Sequence, residues 1–475
     1  MTWKTYYTPR SLEEALSRLA EAPGERRLVA GATDLMLEIE RGLRRGVVAL
    51  IDITRIPGLD EIRLDDQGWI RLGPLVTHNQ VAGSELIRRR AFALARACWE
   101  VGAPQIRTRA TVAGNLITAS PANDTIPPLM ALEARLRLAS SAGERTVDLR
   151  EFYTGVRKTV MRPDEMLVEI AFPAPPPEAR SSFLKLGLRR AQAISVVNAA
   201  VVLEMSGAVV RRAAIALGAV APIVARAEAA ETWLKGRTLD EAAIGEAAHL
   251  ALQAATPIDD LRASAAYRRR MVEVCVRRCL QTLARKQERD GYPDHPVMLA
   301  TGPTRLSTPI QASFRHQAGD EIRTLINGKP YVFTTGHDKS LLRLLREEAG
   351  LIGTKEGCAE GECGACSVFL DGVAVMACMV PAPRAHNAAI ETVEGLAQDG
   401  ELHPLQRAFI EEGAVQCGYC TPGFIMAGVK LLEERTNPSP LDIQQAFAGN
   451  LCRCTGYYSI ISAVERAAQL MAEPK

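Results

Sequence analysis

Eight of the chain's eleven cysteines fall between Cys358 and Cys454, whereas the first 357 residues hold only Cys98, Cys275 and Cys279. Crowding of this kind points to local chemistry at sulfur. The first quartet is Cys358-x4-Cys363-x2-Cys366-x11-Cys378, set in GCAEGECGAC at 357–366. Three cysteines from one short loop with a more distant fourth is the plant-type spacing of a [2Fe–2S] cluster. Three thiolates reach two irons only if the backbone wraps tightly and turns its N–H groups toward sulfur, and Gly357, Gly361, Gly364 and Ala365 supply that freedom.

The second quartet is Cys417-x2-Cys420-x31-Cys452-x1-Cys454, within QCGYCTPG (416–423) and GNLCRCTGY (449–457). Alone, a C-x2-C is a weak signal, and this quartet by itself leaves zinc open as the lesser reading. For the first quartet the alternatives are a zinc site or disulfides, but zinc sites usually pair C-x2-C with a second C-x2-C at longer separation, and a cytoplasmic chain disfavours disulfides. Helix signals surround these thiols. Thr421 is placed to cap a helix with Pro422 at its first position, and Ser439-Pro440 repeats the device before 440–448, so the four thiols are expected at helix ends.

The elements that must carry these residues are legible in outline. From about 1 to 285 strand-like and helix-like runs alternate in an α+β pattern: a helix over Ser11–Ala20 and strands at Arg27–Ala30, Val47–Ile53 and Trp69–Leu72. Prolines at 173–177 mark a boundary. Beyond it Ser195–Met205 and Val209–Leu217 read as strands, and Leu239–Ala254 and Ala265–Lys286 as helices. Periodicity is lost over 287–317, a linker expected to run over the surface. The remainder begins as β structure, with Asn327-Gly328 as a turn between Glu321–Ile326 and Pro330–Thr335, and ends in helices from about 403.

At 475 residues the chain is too long for one core, and 47% apolar with 24% charged residues fits a multidomain globular protein. A net charge of +2 gives no field for nucleic acid, and no apolar run approaches the length of a membrane span. The start Met1-Thr2-Trp3-Lys4 lacks the pattern of a secretory signal, so the cytoplasm is the expected location. Cys275 and Cys279, four apart on one helical face, read as core-filling thiols, and His78 as a satisfied loop histidine.

In this order the two quartets resemble the small iron–sulfur subunit of the molybdenum hydroxylases, the family of xanthine dehydrogenase, aldehyde oxidoreductase and carbon monoxide dehydrogenase. The resemblance covers about 320–475 and implies a β-grasp ferredoxin-like domain for the first quartet and a four-helix domain for the second. It also implies that Gln416, beside Cys417, contacts the molybdopterin of a partner.

No GxGxxG opens a βαβ unit, so a Rossmann nicotinamide site is not expected. The small residues Ala30, Gly31, Ala32, Thr33 and Asp34 instead follow a strand, where backbone N–H groups could approach a pyrophosphate, and 105–124 forms a second loop rich in small hydrogen-bonding residues. Both stretches resemble the flavin subunit of the same family, over about 1–288, whose FAD domain is of the vanillyl-alcohol-oxidase type. By that resemblance Ala30, Gly31, Ala32, Thr33, Asp34, Leu35 and Met36 hold the pyrophosphate, and Thr111, Val112, Ala113, Gly114 and Asn115 line the cofactor. Thr118 and Asp124 bond along the FAD, and Lys185 lies near the flavin ring. Ala32 departs from the family pattern, which has glycine there.

The domain reading is a multidomain α+β chain. It runs from a flavin domain (1–176) through an α/β C-terminal subdomain (177–286) and the linker (287–317) to a ferredoxin-like domain (318–398) and a helical [2Fe–2S] domain (399–475). The resemblance implies an electron relay serving a larger molybdopterin-binding catalytic subunit, as a dimer of heterodimers, with no catalytic residue in this chain. Two [2Fe–2S] clusters pass electrons to FAD, and NAD, a quinone, a ferredoxin or dioxygen is the final acceptor. Cys98, Cys275 and Cys279 are too dispersed for the extra cluster of the family's reductive branch. The alternatives are a stand-alone flavin and iron–sulfur reductase without molybdenum, and a zinc-stabilised interaction module.

Overall fold

Asn327 and Gly328 both adopt left-handed backbone angles, φ 52° and 74°, which suits the twist of a two-residue hairpin. The hairpin joins antiparallel strands Ile322–Ile326 and Lys329–Phe333, and burial of Ile322, Thr324 and Ile326 alternates with exposure of Arg323 and Leu325. In the computed structural model, which describes residues 3–300, 310 and 312–472, the chain packs as two units. One comprises Met1–Pro57, Gly102–Ala110 and Val297–Lys475, the other Gly58–Val101 and Thr111–Pro296.

In the first unit this hairpin is one side of a five-stranded sheet, in the order Lys329–Phe333, Ile322–Ile326, Ala389–Glu391, Ser367–Leu370, Val373–Met376. A second sheet orders Phe314–His316, Thr5–Thr8, Ala49–Asp52 and Arg26–Val29. The two share one core, in which Tyr6, Val29, Met36 and Leu50 pack in the same cluster as Leu341, Val368 and Met376. Helices Pro404–Glu411, Thr421–Glu434, Pro440–Ala446 and Tyr458–Ala472 enclose a further core built on Leu405, Phe409, Phe424, Ile443 and Val464.

The second unit holds a five-stranded antiparallel sheet, Ile62–Leu64, Trp69–Leu72, Met166–Pro173, Arg135–Ser140 and Gly143–Asp148, packed with helices that include Phe92–Trp99, Val112–Thr118 and Ile126–Ala131. A separate antiparallel sheet runs Arg180–Leu186, Val197–Ser206, Val209–Gly218 and Ala225–Arg226. Helices Glu228–Leu234, Glu241–Leu250 and Ala265–Ala284 share its core. With its strands antiparallel and its helices following them, this subdomain is α+β, which corrects the α/β reading of 177–286. Cys275 and Cys279 are buried in its core, where burial pushes both thiols up to about 12. His78 is also buried, in a helix whose N-cap is Thr77.

Packing groups residues differently from the boundaries read in the sequence, because the N-terminal sheet and the 102–110 segment pack with the cysteine-bearing part. The surface course expected for 287–317 holds over 287–295 but is corrected at 296–300 and at 314–316, while 301–309 and 311 lie outside the described residues. Val297 and Leu299 are fully buried in the helical core, and the Glu434 carboxylate accepts the N–H groups of Met298 and Leu299. Phe314–His316 is a strand, paired Tyr6 to His316. Short apolar anchors without periodicity are invisible to pattern reading.

Two outcomes follow. Leu299→Ala, which empties a fully buried site, is expected to cost about 2–5 kcal/mol of stability, read as a shift in the denaturant midpoint without loss of cooperativity. His316, buried against His386 at 4.6 Å between ring centroids, is pushed by burial down to about 4, with His386 and His337 adding repulsion and Asp320 opposing it. Its folded pKa lies below the ordinary 6.5, so the unfolded chain takes up the proton first. Stability is therefore lost as pH falls from about 6.5 to about 4. His316→Gln should flatten that part of the pH profile; an unchanged slope would contradict the assignment.

Candidate redox site

The first quartet sits on a loop bent by three left-handed residues, Ala359, Gly361 and Gly364, with φ of 54°, 74° and 68°. The N–H groups of Glu360 and Glu362 each lie 3.3 Å from Cys358 Sγ, and that of Cys358 lies 3.4 Å from Cys363 Sγ. A Cβ on Gly357 would stand 2.6 Å from Cys363 Sγ, so glycine is required there for the sulfur to occupy its place. Cys366 immediately precedes strand Ser367–Leu370 and Cys378 follows its hairpin partner Val373–Met376, and both are buried.

The thiols meet in pairs. As free thiols, Cys358 hydrogen-bonds Cys363 and Cys366 hydrogen-bonds Cys378; in the second quartet Cys420 hydrogen-bonds Cys452, and Cys417 Sγ lies 3.7 Å from Cys454 Sγ. Among the described residues no three His, Cys, Asp or Glu side chains converge as a single ion would need. Two thiolates per iron is what a two-iron cluster asks of its protein. Amide N–H groups aimed at sulfur favour the thiolate, and hydrogen bonds from the Cys363 thiol and from the loop amides hold the Cys358 thiol down to about 5. At Cys452 burial acts upward, but the Thr455 hydroxyl and the N–H groups of Thr455 and Cys454 overcome it and hold the thiol at about 7.

The helix carrying Cys420 begins one residue earlier than its sequence suggests. Cys420 itself is the N-cap, without a side-chain cap bond, and Pro422 is in the first turn of Thr421–Glu434. The helix has already begun at Thr421, so the hydroxyl does not cap it. Ser439 does cap Pro440–Ala446, in a reciprocal box with Asp442. Cys417, Cys454 and Gln416 are exposed.

Backbone contacts lock the two quartets together. A Cβ on Gly423 would meet the Gly364 carbonyl oxygen at 2.2 Å, and one on Gly364 would meet that of Gly449 at 2.3 Å. The Leu451 N–H donates to the Cys363 carbonyl at 3.0 Å, Asn450 Nδ2 to that of Gly364 at 3.3 Å, and the Tyr419 hydroxyl to that of Glu356 at 2.5 Å. Thr455, Asn450 and Tyr419 were not singled out from sequence, although all three lie in or beside the cysteine motifs. On its other side the first loop meets residues far away in sequence. Arg41 pairs with Glu360 at 2.6 Å, and a Cβ on Gly361 would touch Ile106 at 3.1 Å.

The residues expected to hold a flavin fall in both units. In the first, Gly31 packs so closely on the Arg109 backbone that a Cβ would stand 2.2 Å from its carbonyl oxygen, and Ala32 is left-handed with φ 65°. That conformation explains why glycine is the residue expected at this point. Asp34 precedes the short helix Leu35–Glu40, and Met36 is buried. In the second unit Thr111 caps Val112–Thr118 by accepting the Gly114 N–H at 2.9 Å, and Thr118 donates back to the Gly114 carbonyl at 2.8 Å. Asn115 accepts the Thr125 hydroxyl at 2.5 Å. Asp124 and Lys185 form a buried pair at 2.6 Å, completed by Ser195 and Asn198 at 2.6 and 2.9 Å. Ser195 and Asn198 carried no motif and were missed.

Four stretches of the chain match known families. Residues 2–175 match the FAD binding domain in molybdopterin dehydrogenase, and 182–283 the CO dehydrogenase flavoprotein C-terminal domain. Residues 324–389 match the 2Fe-2S iron-sulfur cluster binding domain, and 392–465 the [2Fe-2S] binding domain. Over 147 residues the chain is 48% identical to the nicotinate dehydrogenase small FeS subunit of Eubacterium barkeri, covering 31% of this chain and 94% of that protein. It is 43% identical over 149 residues, 31% of its own length, to the aldehyde oxidoreductase of Megalodesulfovibrio gigas, of which the match covers 16%. Among solved structures, a chain of the carbon monoxide dehydrogenase of Hydrogenophaga pseudoflava, in a form lacking the Mo-pyranopterin moiety of its molybdenum cofactor, aligns with a TM-score of 0.56. It is 32% identical, and the match covers 59% of this chain and 96% of that one. The chain therefore belongs to the molybdenum hydroxylase family of xanthine dehydrogenase and carbon monoxide dehydrogenase, as an oxidoreductase subunit that joins the family's flavin-binding and iron–sulfur parts in one polypeptide.

Proposed function

We propose that this chain is the electron-transfer component of a molybdenum-dependent hydroxylase. In this reading it carries electrons from the molybdopterin of a separate catalytic subunit through two [2Fe–2S] clusters to FAD and an external acceptor. The observation that carries the proposal is the interlock of the two cysteine loops, one with Cys417 and Cys454 exposed and the other packed against segments of the flavin-binding part. Cys358, Cys363, Cys366 and Cys378 hold one cluster, and Cys417, Cys420, Cys452 and Cys454 the other. When bound, the clusters supply one-electron chemistry and the flavin can collect two electrons.

The protein's own contribution is spacing and environment. The Leu451 N–H on the Cys363 carbonyl ties the backbone of one quartet to the residue preceding Cys452 in the other. N–H groups on Cys358 and Cys452 stabilise negative charge on sulfur. Exposed Cys417 and Cys454 are accompanied by exposed apolar Val415, Tyr419, Leu451 and Tyr458, a surface suited to a protein partner. That favours the second quartet as the electron entry, with Gln416 against the partner's molybdopterin. The first quartet, beside Ile106 and Arg41, is the exit toward FAD.

Residues 30–36 hold the FAD pyrophosphate in this reading, 111–115 line the cofactor, Thr118 and Asp124 bond along it, and Lys185 stands near the ring. The β-grasp, four-helix and vanillyl-alcohol-oxidase-type assignments belong to the same proposal, as do the dimer of heterodimers and a cytoplasmic location. NAD, a quinone, a ferredoxin or dioxygen serves as acceptor. No helix among the described residues is long and apolar enough to cross a membrane.

Purified protein is expected to hold about four iron, four acid-labile sulfide and one FAD per chain. Stoichiometric zinc without sulfide would remove the cluster reading. Replacing the soft thiolate of Cys363 by the harder oxygen of serine should abolish the first-quartet cluster or shift its potential while its neighbour survives. On rapid mixing of the assembled Cys363→Ser enzyme with substrate, the second-quartet cluster is expected to be reduced promptly and the flavin slowly. Prompt flavin reduction with that cluster still oxidised would reverse the proposed order.

A further inference from the structure

We propose that Arg109 is the residue that positions the loop at Ala30–Ala32 for a diphosphate, an inference that rests on the reading of residues 30–36 as the pyrophosphate loop. The Arg109 side chain is buried, and its Nε and Nη2 donate to the carbonyls of Gly31 and Ala30 at 3.4 and 3.3 Å. In a planar trans peptide the N–H lies opposite the C=O. Turning those two carbonyls onto the guanidinium therefore turns the N–H groups of Gly31 and Ala32 away from it, to the other side of the loop. Neither N–H has an acceptor among the described residues, although both residues are buried, and buried backbone donors are rarely left unpaired. Left-handed Ala32 places its peptide in the kind of turn from which anion-binding concavities are built.

Charge points the same way. Arg109 and Arg55 each feel the charges of Arg384, Asp52 and Asp371, with Arg384 paired to Asp371 at 2.8 Å and the Tyr6 hydroxyl donating to Asp52. Three cations thus share two anions inside the unit. Burial holds Arg109 at about 10, so it keeps its charge at neutral pH. Nε and Nη1 of buried Arg384 and Nε of buried Arg55 have no protein partner among the described residues. A diphosphate on the N–H side of the loop would satisfy the two amides and offset the excess charge through two aligned peptide dipoles.

The test titrates FAD into flavin-depleted full-length chain with its clusters in place, following flavin fluorescence, and repeats the titration with riboflavin, which lacks the diphosphate. Arg109→Met is expected to weaken FAD binding roughly tenfold to a hundredfold. Riboflavin binding and cluster absorbance should stay unchanged. Arg109→Lys, which keeps the charge but loses the two-carbonyl fork, should fall between. Gly31→Ala separates the two levels of the argument, since its Cβ cannot coexist with the loop as packed. If Gly31→Ala loses FAD while Arg109→Met binds it like the parent, the role of Arg109 is overturned and the loop reading stands. If both variants bind FAD like the parent, the loop reading itself is wrong. Parallel loss of FAD, riboflavin and cluster absorbance in Arg109→Met would reduce Arg109 to general packing and overturn the proposal.

Discussion

Gly364 and Gly423 meet backbone to backbone, and the arrangement of the cysteine-bearing half depends on that contact. A side chain on either would stand within 2.3 Å of a carbonyl oxygen of the opposite loop, so the loops can approach this closely only because both positions lack one. The approach brings Leu451 within a 3.0 Å hydrogen bond of the Cys363 carbonyl and Asn450 within reach of Gly364. Hydrogen bonding and steric fit thus fix the spacing of two sulfur clusters of side chains that the sequence separates by 38 residues, from Cys378 to Cys417.

A second consequence concerns what else belongs to this body. The N-terminal sheet contributes Tyr6, Val29, Met36 and Leu50 to the same core as Val368, Cys366 and Cys378. The strand Phe314–His316 extends that sheet, and Val297 and Leu299 anchor the preceding segment in the helical core. The segment between the flavin and iron–sulfur parts is therefore anchored at 297–299 and at 314–316, and joining the parts in one chain places those anchors at high effective concentration.

The cysteine site was legible because its chemistry demands one residue type at tight spacing, and the glycines around it are required by sulfur and carbonyl contacts a few ångströms away. The hairpin at Asn327-Gly328, the Ser439 cap and the helix Ala265–Ala284 were legible for local reasons, since turn chemistry, capping and periodicity act within a few residues. What escaped was non-local. Three-residue strand Phe314–His316 has no pattern of its own and is defined by Tyr6, some 300 residues earlier. The antiparallel sheet of 180–226 depends on pairings that alternating runs do not specify. Ser195 and Asn198 join Asp124 only through the register of Val197–Ser206 against its neighbours, and Arg109 finds its carbonyl partner in a loop 78 residues away.

The central claim is that the two quartets hold a pair of [2Fe–2S] clusters in one interlocked body, close enough to act as successive carriers. Electron paramagnetic resonance of the dithionite-reduced full-length chain tests it most directly. Two reduced clusters held by loops in backbone contact should show magnetic interaction, seen as splitting of each signal that disappears when only one cluster is reduced. Two signals that add without splitting at full reduction, or a spin count for a single cluster, would contradict the account.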